Sequence, residues 1–162
     1  MGNQAVHTAP RNVYACADGQ YLALSASVQT MFERLAETIE RPELIEDARF
    51  ATNEDRVGNC DALNVILSDY FGARTLAENL AIMEQAGVTV APVLSAGDIV
   101  HHPYAAGRGL FVETADVDLG KCSIPTPVPR LTRTPGGISR PAPQLGEHTD
   151  EILPLLDQQA RQ

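Results

Sequence analysis

The chain lacks tryptophan, and aromatic residues make up only 5% of it. Surfaces that stack nucleobases or bind carbohydrate are usually lined with aromatic side chains, so the composition argues against both. Cysteine is scarce as well, because Cys16, Cys60 and Cys122 form no closely spaced pair and leave one residue over. A secreted domain held together by disulfides is therefore not expected, and a reducing, cytoplasmic location is predicted.

Long hydrophobic runs and an excess of positive charge are also missing. No stretch approaches the roughly 20 apolar residues that span a bilayer, and the opening Met-Gly-Asn-Gln-Ala-Val lacks a signal-peptide core. Twelve Lys and Arg residues stand against 21 Asp and Glu residues, which gives a formal net charge of −9. This charge repels phosphate backbones and anionic lipids, so neither nucleic acid nor a membrane is an expected partner.

The motifs of a self-sufficient active site are not found. Gly107-Arg108-Gly109 lacks the third glycine of a dinucleotide-binding loop and precedes a predicted strand rather than a helix. His101 and His102 are adjacent, and neighbouring helical residues point about 100° apart, so the pair is not expected to share a metal ion. No metal site and no catalytic residue are predicted from local patterns.

The chain does contain α/β patterning across its 162 residues. Residues 12–16 and 21–26 flank Asp18-Gly19 and predict a β-hairpin, because glycine tolerates the positive φ of a tight turn. Apolar periodicity and capping motifs predict further elements. Helices are expected over residues 28–39, from an N-cap at Thr52 to about Gly72, from a capping box at Thr75 to about Gly87, and over residues 95–103 and 148–157. A buried strand is expected over 88–94, with shorter strands over 110–113 and 121–124. The expected fold class is α/β (α+β), with helices packed on a short, mostly antiparallel sheet.

A proline-rich segment follows residue 120. Seven of the 11 prolines lie between Pro125 and Pro154, and such residues favour extended backbone. Residues 121–148 are also locally basic, with one lysine and three arginines against Glu147. Two interpretations stay open: this arm lies over the rest of the chain, or it docks on a missing partner.

Six short motifs occur in a characteristic order. They are Ala9-Pro10-Arg11-Asn12-Val13-Tyr14 with Asp18-Gly19; Arg41-Pro42-Glu43-Leu44 with Asp47-Ala48-Arg49-Phe50; Arg56 with Asn59; Ala86-Gly87-Val88 with Ala91-Pro92-Val93; Arg108-Gly109; and Thr134-Pro135-Gly136 with Arg140-Pro141-Ala142-Pro143 and Leu145-Gly146-Glu147-His148-Thr149. In this order the chain resembles the small domain and C-terminal segment of the family III coenzyme A transferases, a family that includes formyl-CoA transferase, carnitine CoA-transferase and α-methylacyl-CoA racemase.

The resemblance implies a division into a small domain, residues 1–120, and an arm with a final helix, residues 121–162. In the family this arm returns to a large Rossmann-like domain, which lies upstream and supplies the aspartate that becomes acylated and carries CoA as a thioester. That domain also supplies most of the CoA pocket. No catalytic residue of the family can be assigned here, and no covalently bound cofactor is expected, while coenzyme A or acyl-CoA would be a substrate of the parent enzyme.

The resemblance also assigns candidate residues. A glycine-rich loop near the family's active site would fall at the start of this chain, so Gly2, Asn3, Gln4 and His7 are candidates for a substrate-facing edge. The other motif residues are expected to be structural: Asp18, Gly19, Arg56, Asn59, Gly146, Glu147 and His148. The expected partner is a missing N-terminal Rossmann-like domain or a split-enzyme subunit, and the parent enzyme is expected to be a homodimer.

Several functions stay open at this point. The chain could be the C-terminal portion of a family III CoA-transferase, inactive alone, or of an α-methylacyl-CoA racemase-type enzyme. It could instead be a non-catalytic module with an acyl-CoA-binding or regulatory role, or a homo-oligomeric structural protein.

Overall fold

The computed structural model describes residues 2–159, and the chain divides into two units, Met1–Val93 and Leu94–Gln162. The first unit packs helices on a small antiparallel sheet, and the second contains short helices, a hairpin and a final helix. The α/β class that the sequence predicts is therefore confirmed. Strands on both sides of residue 120 pair with each other, so the units differ from the segments 1–120 and 121–162, which stay a prediction.

A three-stranded antiparallel sheet forms the centre of the first unit. Its strands are β1 (Arg11–Ala15), β2 (Tyr21–Ser25) and β3 (Val90–Pro92), in that spatial order. The hairpin predicted from Asp18-Gly19 is confirmed: Gly19 has a φ of +77°, a left-handed conformation that glycine adopts without steric cost.

Strand β3 differs from its prediction. The apolar run over residues 88–94 predicts a buried strand, but Val88 is its only fully buried residue, and β3 is an exposed edge strand. Pro92 is compatible with this position, because an edge strand has one side on which no N–H donor is needed.

Helices of the first unit pack on one face of the sheet. They are α1 (Gln29–Thr38), α2 (Glu43–Glu46), α3 (Asn53–Gly58), α4 (Cys60–Gly72) and α5 (Leu76–Gln85). Thr52 and Thr75 form capping boxes with Asp55 and Glu78, which confirms both predicted caps. The helix predicted to run from Thr52 to about Gly72 is instead two helices, because α3 ends at Gly58 and α4 begins at Cys60. The sequence does not predict α2, since four residues are too few to show a helical period.

The core of this unit lies between the helices and the inner face of the sheet. The strands contribute Tyr14, Leu22 and Leu24, which alternate with residues that point to the other face. The helices contribute Phe32, Leu35, Leu63, Leu67, Phe71 and Met83, all nearly inaccessible to solvent. These contacts follow the three- and four-residue spacings that predict the helices.

One charged side chain, Arg56, lies inside this unit and is 1% exposed. Its guanidinium donates to the carbonyl oxygens of Ala9, Ser27 and Phe50 and to Gln29 Oε1, at 2.8, 3.0, 3.0 and 2.9 Å respectively. It also lies 4.4 Å from the centre of the Phe32 ring. Burial lowers the pKa of Arg56, with Asp55 and Glu33 opposing the shift, yet an arginine stays charged at any physiological pH.

The second unit contains helices α6 (Ala96–His101), α7 (Pro103–Arg108) and α8 (Thr149–Gln159), and strands β4 (Phe111–Asp116) and β5 (Gly120–Pro125). Residues 126–148 contain no helix or strand, consistent with the extended, proline-rich arm. Pro103 does not simply end α6, because it occupies the first turn of α7, where its missing N–H costs nothing. Ala105 is the one buried residue among those described in this unit, which therefore has almost no core of its own. Among residues 2–159, no helix is long and apolar enough to cross a membrane.

We predict that Arg56→Met destabilises the chain by roughly 3–5 kcal/mol, because buried carbonyl groups lose a charged donor. Urea unfolding followed by circular dichroism measures this loss. The matched control is Arg49→Met, which removes an exposed guanidinium paired with Asp47 and should have a much smaller effect. Equal losses in the two variants would contradict the proposed role of Arg56.

A second prediction concerns the cap of α5. Hydrogen bonds from Thr75 hold the pKa of Glu78 below its ordinary 4.5. A carboxyl group with a lowered folded pKa stabilises the fold fully above its unfolded pKa, and loses that contribution as pH falls through the folded value. Thr75→Ala should therefore cost about 1 kcal/mol at neutral pH and flatten the acid dependence of the unfolding free energy. Thr75→Ser keeps the hydroxyl, so it should retain both the stability at neutral pH and the acid dependence of the unfolding free energy. The same acid dependence in Thr75→Ala and Thr75→Ser would show that the Thr75 hydroxyl does not lower the pKa of Glu78.

Candidate functional site

The second face of the three-stranded sheet is open within the first unit. Antiparallel pairing places its side chains in three rows across the strands: Ala15 beside Tyr21, Val13 beside Ala23 and Ala91, and Arg11 beside Ser25. Tyr21 and Ala91 are exposed, and Val13, Ala23 and Ser25 are half-buried. This open face changes from apolar at one end to polar and basic at the Arg11 end.

The N-terminal segment, residues 2–10, runs beside this sheet and is fixed by side chains of α3 and α4. Asn53 donates to the His7 carbonyl at 3.0 Å and accepts from the Ala9 N–H at 3.1 Å. Asn64 donates to Gln4 Oε1 at 2.8 Å. These contacts give the segment a defined path, although it contains no helix or strand.

Asn64 joins this segment to the sheet. Its Oδ1 accepts from the Tyr14 hydroxyl at 2.8 Å and from Asn12 Nδ2 at 3.3 Å, while its Nδ2 holds Gln4. Burial raises the pKa of Tyr14, with a smaller contribution from Cys60, so this hydroxyl keeps its proton and serves as a donor.

The four candidate substrate-facing residues do not share one cavity. Asn3 lines a cavity of about 300 Å³ at the Arg11 end of the open face. Gln4 lines a different cavity of about 440 Å³, at the start of α4. Gly2 is exposed with a φ of +58°, and His7 contributes a backbone carbonyl to Asn53. That these four residues face a substrate stays a prediction.

The first of the residues expected to be structural make hydrogen bonds within the fold, several of them between segments that are distant in sequence. Asp18 Oδ2 accepts from the Leu76 N–H at 3.1 Å and so ties the hairpin turn to the start of α5. Asn59 Nδ2 donates to the carbonyl oxygens of Arg49 and Asp55 at 3.2 and 2.9 Å. Arg56 is buried and donates hydrogen bonds to three backbone carbonyl groups, as described above.

The C-terminal motif residues lie in the second unit. Gly146 has a φ of +82°, and Glu147 Oε2 accepts from the Gln144 N–H at 2.8 Å just before α8. His148 is half-buried and lines a mostly apolar cavity of about 340 Å³ with Ile152 and Leu153. Nothing in this geometry gives His148 a hydrogen-bonded acid–base partner among the described residues.

The thiols of the first unit are not activated. Burial raises the pKa of both Cys16 and Cys60, which favours the protonated, unreactive form. Among residues 2–159, no group of three potential metal ligands occurs. The described part of the chain therefore offers surfaces and cavities, but no assembled nucleophile and base.

Comparison with known proteins identifies the family. A family model described as CoA-transferase family III matches residues 1–149. The chain belongs to this family. It is 33% identical over 152 residues to the succinyl-CoA–D-citramalate CoA-transferase of Chloroflexus aurantiacus, an alignment that covers 94% of this chain and 38% of that protein. A crystal structure of a CaiB/BaiF family protein from Brucella suis superposes with a TM-score of 0.72 at 28% identity, covering 97% of this chain and 40% of that one.

Other family members differ in reaction. The α and β subunits of succinyl-CoA–L-malate CoA-transferase from Chloroflexus aurantiacus are each 32% identical, and human succinyl-CoA:glutarate CoA-transferase is 31% identical. Human α-methylacyl-CoA racemase is 30% identical over 143 residues, covering 86% of this chain and 35% of the racemase. The chain spans less than half the length of each of these relatives.

The sequence does not predict the roles of Asn53 and Asn64. The signal for Asn64 is its place on α4, where it immediately follows the buried Leu63 and lies one turn after the buried Cys60. An amide in that position needs hydrogen-bond partners, which the N-terminal segment and Tyr14 supply. Arg11 belongs to a recognised motif, but only the pairing of β1 with β2 places it at the end of the open face.

We predict that Gln4→Ala loosens the N-terminal segment without changing global stability, because only one anchor of that segment is lost. Asn64→Ala should loosen it equally and also cost about 1–3 kcal/mol, since the buried Tyr14 hydroxyl loses its acceptor. Hydrogen exchange at residues 3–6 reports the first effect, and urea unfolding reports the second. If exchange were unchanged in both variants, the anchoring role of this contact would be wrong.

Proposed function

We propose that this chain forms the small domain and C-terminal segment of a family III CoA-transferase, which moves CoA between carboxylic acids. The observation that carries the proposal is that 94% of the chain aligns with only 38% of a CoA-transferase. The polypeptide that completes the enzyme would carry the family's nucleophilic aspartate, either upstream or in a separate subunit. A cytoplasmic location belongs to the same proposal and accords with three free cysteine thiols.

We propose that the reacting carboxylate belongs to the part of the enzyme that completes this chain. In the family's chemistry, the aspartate attacks the thioester carbonyl and CoA leaves as the thiolate, which gives an acyl aspartyl anhydride. The thiolate then returns to form an aspartyl-CoA thioester and releases the first carboxylic acid. The acceptor carboxylate repeats the exchange in reverse, so no oxidant, metal or further reactant is consumed. The raised pKa values of Cys16 and Cys60 support assigning the nucleophile to another part of the enzyme.

The second unit supports the existence of a docking partner. Apart from Ala105, its described residues form no core, and many large apolar side chains are exposed: Val117, Leu119, Val128, Leu131, Leu145, Ile152, Leu153, Leu155 and Leu156. A two-stranded hairpin and isolated helices are marginally stable alone in water. We therefore propose that this unit packs on the nucleophile-bearing domain, and that the complete enzyme is a homodimer or an assembly of unlike subunits.

The relatives favour a dicarboxylic acid as substrate. Succinate, citramalate, malate and glutarate, in the names of the CoA-transferases above, all carry two carboxylates. We propose the same class for the enzyme that contains this chain. A substrate with a second carboxylate requires a cationic group remote from the thioester carbonyl, since an unpaired buried carboxylate is costly.

Racemisation of an α-methylacyl-CoA is the second candidate, because a racemase of that kind is 30% identical. Racemisation needs acid–base groups that remove and return the α-proton. It does not need an acceptor carboxylate. Incubating the complete enzyme with an α-deuterated acyl-CoA and no acceptor acid distinguishes the two. Loss of deuterium to solvent favours a racemase, whereas retained deuterium, with transfer of CoA once a dicarboxylate is added, favours the transferase.

We predict that the purified chain alone shows no transfer of label from radioactive succinate into succinyl-CoA above the protein-free control. Addition of the nucleophile-bearing polypeptide should start the transfer. Transfer by the pure chain would disprove the proposed division of labour. Calorimetry with acyl-CoA tests the alternative of a stand-alone binding module, because tight binding by the chain alone would support that alternative.

A further inference from the structure

The cavity at the polar end of the open sheet face has two kinds of wall. One wall is polar, with Asn3 from the N-terminal segment, Ser25 from β2 and Thr89 preceding β3. The other wall is apolar, with Val13, Ala23 and Ala91 on neighbouring strands. Its volume of about 300 Å³ lies at the lower end of the range for small-molecule pockets.

Arg11 is the only charged residue among the described ones that line this cavity. Its side chain is exposed, and among residues 2–159 its guanidinium has no hydrogen-bond or ion-pair partner. Two of the other arginines of this unit are engaged, Arg49 with the carboxylate of Asp47 and Arg56 with backbone carbonyls. Arg11 is therefore available to an anion from outside the chain.

The cavity suits a carboxylate on a short carbon chain. A guanidinium binds a carboxylate through two parallel hydrogen bonds, and the neighbouring Ser25 hydroxyl and Asn3 amide add donors. The apolar wall beside Arg11 can contact methylene groups. A polyphosphate is a poorer match, because no second cation from residues 2–159 lines the cavity to share its charge.

We propose that Arg11 binds the remote carboxylate of the dicarboxylic acid substrate and so determines specificity for diacids over monoacids. The inference rests on the proposed function, because it names the group that recognises that enzyme's substrate class. Arg11 is a specificity-determining residue in this scheme, and the reacting carboxylate lies toward the nucleophile of the completing domain. Arg11 also gives this cavity a local attraction for a dianion, although the chain as a whole has a net charge of −9.

The test uses the full 162-residue chain, labelled with ¹⁵N, and follows its NMR spectrum during titration with glutarate. Signals of the Arg11 side chain and of the amides of Asn3, Ala23 and Ala91 should shift together. Pentanoate, with the same carbon number and one carboxylate, should bind at least about tenfold more weakly, since it lacks the second charged contact. Inorganic phosphate serves as the comparison anion.

Matched variants assign the effect to Arg11. Arg11→Gln should reduce glutarate affinity at least about tenfold, to that of pentanoate, while Arg11→Lys should retain part of the preference for the diacid. Arg34→Gln, which removes another exposed arginine of the same unit, should leave the titration unchanged. The spectrum of each free variant shows directly that it is folded.

Four results would overturn the proposal: no shifts with glutarate, equal shifts with pentanoate, stronger shifts with phosphate, or unchanged binding in Arg11→Gln. The assembled enzyme separates this inference from the proposed function. Transfer activity with the same KM for glutarate in Arg11→Gln would refute the role of Arg11 and leave the transferase assignment intact. Glutarate binding that depends on Arg11, in an assembled protein without transfer activity, would refute the transferase assignment alone.

Discussion

The first unit depends on one buried cation. Arg56 brings together three segments that are distant in sequence: the residues before β1, the start of α1 and the loop before α3. None of these segments forms a regular element that could satisfy its own carbonyl groups, and a buried unpaired carbonyl is costly. A guanidinium is the one side chain with five donors in a fixed plane, so it can satisfy three carbonyls and an amide oxygen at once. Its positive charge is also stabilised by the ring of Phe32.

The path of the N-terminal segment follows from this arrangement. Arg56 holds the Ala9 carbonyl, Asn53 holds the Ala9 N–H and the His7 carbonyl, and Asn64 holds the Gln4 side chain. The segment that leads from Gly2 to β1 is therefore determined by side chains of α3 and α4 rather than by its own propensity. This path brings Asn3 to the cavity that Arg11 lines.

Much of the first unit can be predicted from the sequence, because its elements follow local rules. The Asp18-Gly19 turn, the Thr52 and Thr75 caps and the apolar spacing of α1, α4 and α5 all act over a few residues. Position in a sheet is not local, which explains why the apolar run at 88–94 predicts a buried strand although β3 lies at an edge. The contacts of Asn64 and Arg56 cannot be read from the sequence either, since their partners are up to 60 residues away. The candidate site was predicted only in part, since the resemblance points to Asn3 and strand pairing is needed to add Arg11.

The two units differ in what they lack. The first has a buried core and an open sheet face, whereas the second, over the residues whose burial is described, has exposed apolar side chains and almost no core. The open sheet face and the exposed apolar side chains are both unfavourable in a protein that acts alone, since a large exposed apolar area usually marks an interaction surface.

Arg11 and Arg56 are the same residue type in two different environments. The Arg56 guanidinium donates to four acceptors of this chain, so its role is structural. Arg11 has the same donors without acceptors among the described residues, and it lines the cavity at the end of the open sheet face, so its place points to a ligand rather than to the fold.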